Sequence, residues 1–242
     1  MFKNAFSLFF LFIIISISSC EYDSEVGFLL KSKKYSSQVI AVEKWPENTI
    51  PYHYADEFAS YEKNAIKYCM KVWQKACGIT FTEVNDTDTT PEDETVVLSI
   101  YKAEDDAETA ESTVGYVSDP FMLIRGSRYR TILHELGHVL GLLHEHQRPD
   151  RDNYITINWA NIQAAYISNY VILDSTLIEE ENYDYDYFSI MHYSAYAGGT
   201  DFDAHTYDII DEESVPDPDK FMLYLTALDV EKTQDIYGPP IL

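Results

Sequence analysis

The segment HELGHVLGLLHEH, from His134 to His146, constrains the fold of this chain more than any other stretch. On a helix, His134 and His138 lie one turn apart on the same face, where both can bind one metal ion. Glu135 then lies on the adjacent face, where it can reach a metal-bound water without binding the metal. The segment therefore predicts an active-site helix that carries metal ligands.

Gly141 and His144 complete the pattern. Gly141 stands three residues after the second histidine, where a helix that ends abruptly needs a residue tolerant of positive φ. The chain can then turn back and bring His144 to the same ion. Three histidines leave the fourth position of a tetrahedral Zn²⁺ open for water, as in catalytic sites. Zinc lowers the pKa of that water to about 7, and Glu135 is expected to act as its general base.

A helix rich in histidine and glutamate that binds no metal is the alternative interpretation. A bare HExxH motif occurs on helices by chance, but the extended form HExxHxxGxxH is complete here and far more specific. The extended form also belongs with a downstream methionine turn that supports the histidines. The sequence YDYFSIMHY, with Met191 near its centre, supplies that turn. We therefore predict one catalytic zinc ion per chain.

The chain of 242 residues is long enough for one domain with a substantial core. Its formal net charge of -24 argues against nucleic acid or an anionic membrane surface as a partner. The charge is uneven, because Lys220 and Lys232 are the only basic residues after Arg151. Cys69 and Cys77 are expected to be free thiols, since eight residues of helix would separate them by about 12 Å.

The first twenty residues, MFKNAFSLFFLFIIISISSC, have the features of an export signal. We predict a signal peptide over residues 1–19, a tether or short pro-segment over 20–44, and the folded domain over 45–242. The sequence ISSC resembles the lipobox of bacterial lipoproteins, which predicts lipidation of Cys20. A plain secretory signal is the alternative. Either one places the protein outside the cytoplasm, in the extracellular space, at the outer cell surface or in the periplasm, with the membrane reached only through the possible lipid anchor.

Apolar periodicity predicts an α+β fold. The predicted helices span residues 57–76, 127–140 and 160–173, and the predicted strands lie within 79–84 and 95–101. A last helix is expected to begin after Thr226, with Asp229 completing a capping box, and to end at Gly238.

The motifs resemble those of the astacin family of metzincin zinc endopeptidases. The matching segments are WPENTIPY, STVGY, HEHQRPDRD, SIMHY and LTALDVEKTQDIYG. The resemblance covers about residues 36–238. It implies a zincin fold with two subdomains around an active-site cleft: an N-terminal twisted mixed sheet with two long helices, and an irregular C-terminal subdomain that ends in a helix.

By this resemblance, His134, His138 and His144 bind zinc and Glu135 is the catalytic base. Tyr193, two residues after Met191, corresponds to the tyrosine that can ligate zinc in the resting enzyme and then stabilise the oxyanion of the tetrahedral intermediate. Met191, Gly141 and Glu145 support the site. His146 and His192 match the motifs without an assigned catalytic role.

The resemblance has two departures. Family members usually carry two disulfides, but the C-terminal partner of Cys77 is missing after IYG, and so is the second pair. In family members, the residue matching Glu145 meets the amine freed when the pro-segment is cut. If this chain remains tethered through Cys20, Glu145 needs another partner.

The resemblance implies a zinc-dependent endopeptidase that binds a protein or peptide substrate in extended form in the cleft. Two alternatives remain at this stage. One is a catalytically inactive, surface-tethered lipoprotein that binds peptides or proteins, and the other is a zinc hydrolase of non-peptide amides. Retention of Glu135 beside the histidines disfavours the binding protein.

Overall fold

The computed structural model describes residues 43–84, 95–103, 110–174, 183–211, 215 and 224–241. The predicted signal peptide, Cys20 and nearly all of the predicted tether lie outside these ranges. Glu43, the first described residue, forms an isolated β-bridge with Tyr116. Trp45, where the domain is predicted to start, is fully buried.

The N-terminal part of the domain contains a five-stranded sheet. The strands are β1 (Thr49–Tyr54), β2 (Thr80–Glu83), β3 (Leu98–Lys102), β4 (Glu111–Ser112) and β5 (Phe121–Ile124). Their order is β2-β1-β3-β5-β4, and all neighbours are parallel except the antiparallel pair β4 and β5. The predicted mixed sheet is confirmed, and β4 is the outer strand on the side of the cleft described below.

Two α-helices pack beside this sheet and against each other. They are α1 (Ser60–Ala76) and α2 (Tyr129–Val139). Trp73 of α1 is fully buried and donates through Nε1 to the Leu133 carbonyl of α2 at 3.1 Å. The predicted active-site helix is thus held by the long helix behind it. Among the described residues, no helix has the length and apolar character needed to cross a bilayer.

The C-terminal part is largely irregular, as predicted, with one two-stranded sheet of β6 (Ile155–Ile157) and β7 (Tyr207–Ile209). The predicted helix over 160–173 is wrong. This region forms two short 3-10 segments, Trp159–Asn161 and Ala164–Tyr170. The amides of Asn161 and Gln163 donate to the carbonyls of His205 and Gly199, so side-chain bonds to the facing loop replace a continuous helix.

The last helix, α3 (Ala227–Tyr237), has the predicted bounds. Thr226 accepts from the backbone N–H of Asp229, whose carboxylate accepts from the Thr226 N–H, so the capping box is confirmed. Gly238 ends the helix with φ 77°.

Hydrogen bonds between the end of α1 and the end of α3 join the regions that the missing disulfide would join. The Gly78 N–H donates to the Gly238 carbonyl at 2.8 Å, and the Gln234 amide donates to the Ala76 carbonyl at 2.7 Å. Cys69 and Cys77 are both free, as predicted, and both are buried.

Candidate active site

The structure brings His134, His138 and His144 together. Their ligating nitrogens all lie within 4.8 Å of one another, and Nε2 of His144 is 3.1 Å from Nε2 of each of the other two. Gly141 adopts φ 101°, which confirms the predicted turn. Its N–H bonds to the His138 carbonyl at 2.7 Å, so the helix ends there and the chain returns His144 to the site.

The hydrogen bonds of the three rings leave their other nitrogens free to bind a cation. Each Nδ1 faces an oxygen acceptor at 2.7–2.9 Å: Ile190 O for His134, Leu142 O for His138 and Gln147 Oε1 for His144. An acceptor at Nδ1 fixes the proton there, so three Nε2 lone pairs converge on one point. Tetrahedral zinc with Zn–N bonds of about 2.0–2.1 Å would separate its ligand nitrogens by about 3.3 Å, close to the spacing found. The residues therefore fit zinc.

Burial keeps these histidines neutral, as metal binding requires. Burial is the main cause that lowers the pKa of His138 to about 4. Burial, with added repulsion from neighbouring histidines, also holds the pKa of His134 and of His144 well below the usual value.

Glu135 is buried beside the triad and is oriented by Ser112, a residue that the sequence analysis did not single out. The Ser112 hydroxyl lies 2.8 Å from Glu135 Oε2 and 3.0 Å from the Glu135 carbonyl. Burial raises the pKa of Glu135 to about 8, Ser112 opposes the rise, and Glu111 adds to it. A bound dication would favour the ionised form. The carboxyl group therefore has a pKa suited to proton transfer near neutrality.

The predicted methionine turn lies beneath the active-site helix. Met191 is buried, and its sulfur fills the space that a Cβ on Gly137 would need. Its carbonyl accepts from the Glu145 N–H at 3.1 Å. The turn therefore supports both α2 and the segment that carries the third histidine.

Tyr193 packs against the triad at the cleft. Its ring centroid is 4.7 Å from that of His144 and 4.1 Å from that of His146, on which it stacks. The Tyr193 carbonyl accepts from the Tyr207 hydroxyl and from His192 Nδ1. Burial raises the pKa of Tyr193, so its phenol stays protonated and can donate a hydrogen bond. His146 and His192, which had no assigned role, both contact this residue.

Glu145 is almost fully buried and is paired within the folded domain. Oε2 accepts from Lys232 Nζ at 2.6 Å, and Oε1 accepts from Arg148 Nη1 at 2.8 Å and from the Asp186 N–H at 3.0 Å. Burial alone would raise the pKa of Glu145, but Lys232 and Arg148 outweigh it and lower the pKa. Lys232 is the partner that Glu145 was expected to need in a tethered chain.

An open cleft of about 420 Å³ lies over the triad and is lined by both parts of the domain. Among the described residues that line it, the cationic side chains are those of Arg128 and Arg130, which the sequence analysis did not consider. Arg130 Nη2 donates to the His192 carbonyl at 3.1 Å. Arg130 precedes His134 by four residues and so shares its helix face, which is the signal that could have identified it.

A neutral three-histidine site with a buried carboxyl group beside it and an open cleft above it has the chemistry of a zinc metallopeptidase. The site therefore indicates the class of protein, a zinc metallopeptidase. A family model described as Astacin, a peptidase family, matches residues 38–237. The chain belongs to the astacin family, whose zinc requirement agrees with the histidine site.

Curated relatives agree with this family. Astacin-like metalloprotease toxin 2 from Loxosceles intermedia is 32% identical over 226 residues, covering 89% of this chain and 83% of that protein. Mouse Tolloid-like protein 1 is 32% identical over 157 residues, covering 62% and 14%. Nematocyst expressed protein 6 from Nematostella vectensis is 32% identical over 167 residues, covering 66% and 54%. The alignments thus span about a seventh and about half of the length of these last two relatives.

Solved structures agree with the fold. High choriolytic enzyme 1, a hatching enzyme zinc-protease from Oryzias latipes, matches with a TM-score of 0.69 and 27% identity, covering 86% of this chain and 98% of that one. Myroilysin matches with a TM-score of 0.58 and 22% identity, covering 84% and 99%, and this match concerns the fold alone.

Proposed function

We propose that this protein is an active zinc-dependent endopeptidase, with His134, His138 and His144 as the zinc ligands and Glu135 as the catalytic base. The observation that carries the proposal is the set of three Nδ1 hydrogen bonds, which aim three Nε2 lone pairs at one point beside a buried carboxyl group. Bound zinc supplies a Lewis acid and an acidified water.

The chain's own residues account for the remaining steps. Ser112 bonds to Oε2 of Glu135, which leaves Oε1 to take the proton of the attacking water. The Tyr193 phenol donates a hydrogen bond to the oxyanion that forms at the scissile carbonyl.

Replacing Tyr193 with Phe removes that donor, so we expect kcat to fall about 10²-fold or more while KM and zinc content change little. Steady-state kinetics with a fluorogenic peptide, alongside metal analysis, tests this role.

We propose that the substrate is a protein or peptide bound in extended form along β4. This strand is the outermost of the sheet in the described part of the chain, and Glu111 and Ser112 line the cleft. Addition of a strand to a sheet edge is a recurring mode of peptide recognition. It would pass the peptide backbone across Glu135 and the histidines.

A binding protein without activity is the weaker candidate. A binder would gain nothing from a buried carboxyl group that costs desolvation energy and is held beside an intact ligand set. Hydrolysis of a non-peptide amide would use the same chemistry, but membership of a peptidase family favours peptide bonds.

We propose export through a signal peptide at residues 1–19, lipid attachment at Cys20, a tether over 20–44 and a peptidase domain over 45–242. The family match, which begins at residue 38, and the full burial of Trp45 support a domain start in this region. Relatives named as a toxin and a nematocyst protein fit an exported enzyme.

Removal and return of zinc tests the proposed function. We expect the purified protein to cleave casein and a peptide library, to lose this activity with a chelator, and to recover it with one equivalent of zinc. Activity that survives complete zinc removal, as verified by metal analysis, would overturn the proposal.

A further inference from the structure

A buried ion pair joins the C-terminal helix to the segment that carries the third histidine. Lys232 on α3 and Glu145 are 4% and 2% exposed, and their charged atoms are 2.6 Å apart. The two residues are separated by 87 positions in the sequence. This pair is therefore a tertiary link between two elements.

The pair is part of a saturated cluster. Arg148 and the Asp186 N–H occupy Oε1 of Glu145, and Lys232 occupies Oε2. A carboxylate removed from water is tolerated only when charges and hydrogen bonds compensate it. Lys232 is one of only two basic residues after Arg151, and its ammonium group lies at the carboxylate of Glu145.

The position of Glu145 affects the position of His144, a proposed zinc ligand. It follows His144 directly and opens the 3-10 turn Glu145–Gln147. Gln147 then accepts from His144 Nδ1 at 2.9 Å and so orients the ring. A displacement of Glu145 would therefore move both the ligand and the amide that orients it.

The same helix reaches a second histidine. Asp229 of α3 accepts from the Ile190 N–H at 2.9 Å, and the Ile190 carbonyl accepts from His134 Nδ1 at 2.7 Å. Helix α3 is thus linked to His134 through Asp229 and to the segment of His144 through Lys232. Both links are polar and buried.

We propose that Lys232 is a positioning residue of the zinc site and the internal counter-ion of Glu145, so that the site is complete without an amine released by cleavage of the N-terminal segment. This inference rests on the proposed zinc site. If it is correct, the uncut chain can bind zinc at this site. Any control of activity must then act through residues other than Glu145.

The test uses the full-length chain, with its N-terminus verified by mass spectrometry, and compares Lys232→Met with Lys71→Met. Lys71 is an exposed lysine on α1 and serves as the matched control. The readouts are the rate of zinc transfer to a chromogenic chelator and the visible spectrum of the cobalt-substituted protein. We expect Lys232→Met to release zinc about tenfold faster or more and to alter the cobalt bands, because outer partners of metal ligands affect affinity by about 10–100-fold. Lys71→Met should match the unmodified protein.

A second variant, Glu145→Gln with Lys232→Met, removes both charges. We expect it to recover most of the slow zinc release, since the buried carboxylate that lost one of its two cations is gone and Arg148 keeps Asp150 as its partner. If Lys232→Met alone does not fold, folding of the double variant with the native cobalt spectrum still supports the pairing, and failure of both to fold counts against it.

Besides failure of both variants to fold, three results would overturn the inference. These are Lys232→Met behaving like Lys71→Met, the double variant being as impaired as the single one, and the protein holding zinc only after its N-terminal segment has been removed. These readouts need no peptide turnover. A chain that shows the expected metal behaviour but cleaves no peptide would refute the proposed function alone.

Discussion

At the scale of single residues, the proposed chemistry depends on the protonation state of Glu135, which its surroundings set. Burial moves its pKa towards neutrality, and the Ser112 hydroxyl moves it back by bonding to the carboxylate. Ser112 therefore helps to keep the proposed base ionised near neutral pH.

Replacing Ser112 with Ala tests this balance. The loss of a donor to the carboxylate raises the pKa of Glu135, so the base becomes deprotonated only at higher pH. We expect the acidic limb of the kcat/KM pH profile to move to higher pH. Thr113→Ala is the control, because the Thr113 hydroxyl bonds to the Phe121 backbone and not to the base. An unmoved limb in Ser112→Ala would contradict the role given to Ser112.

Sequence reasoning found the histidines because their spacing is local and helical. It could not find the roles of Ser112 and Lys232, because their partners lie 23 and 87 positions away and meet them only after folding. The contact of Gln147 with His144 is more local, since the two residues are three positions apart. It depends on a 3-10 turn that no motif in the sequence predicts.

At the scale of elements, the active-site helix rests on the methionine turn with no spare volume. A Cβ at Gly137 would collide with the Met191 sulfur, at the flexible end of that side chain. The glycine therefore permits the close approach of helix and turn that places both the histidines and Glu145.

Gly137→Ala tests this contact. Alanine favours a helix by about 1 kcal/mol, but overpacking costs about 1–3 kcal/mol, so we expect a net loss of about 1 kcal/mol in the free energy of unfolding. Urea denaturation of the metal-free protein measures it. In a Met191→Ala background the same change should be neutral or stabilising. Equal losses in both backgrounds would show that the methionine is not the neighbour that matters.

Element boundaries were predictable where local chemistry sets them. The capping box of Thr226 and Asp229 fixed the start of α3 correctly. The predicted start of α1 was three residues early, and Tyr61, in the first turn of the helix, is 65% exposed. Glu62 turns inward instead, where it caps Ala59 and pairs with Lys102. Such long-range pairing is outside the reach of periodicity.

At the scale of the whole molecule, the proposed zinc site lies where separate elements of the chain meet. Helix α2, the turn at Met191 and helix α3 all meet around the three histidines. A chain with a net charge of -24 and free cysteines has strong self-repulsion and no disulfide among its described residues. Metal binding should therefore contribute substantially to its stability.

Calorimetry with and without zinc tests this contribution. A ligand at a thousandfold excess over its dissociation constant stabilises the native state by about 4 kcal/mol, which corresponds to a Tm increase of about 8–16 °C for a domain of this size. We expect this increase in the unmodified protein and little of it in His138→Ala. An equal increase in the variant would mean that zinc binds elsewhere.

The central claim is that Glu135 acts as the base beside a zinc ion held by His134, His138 and His144. The most direct measurement is the rate of peptide cleavage by Glu135→Gln, made on samples whose zinc content equals that of the unmodified protein. We predict a loss of about 10²–10⁴-fold at one zinc per chain. A variant that binds zinc fully and cleaves peptide at the unmodified rate would contradict the account.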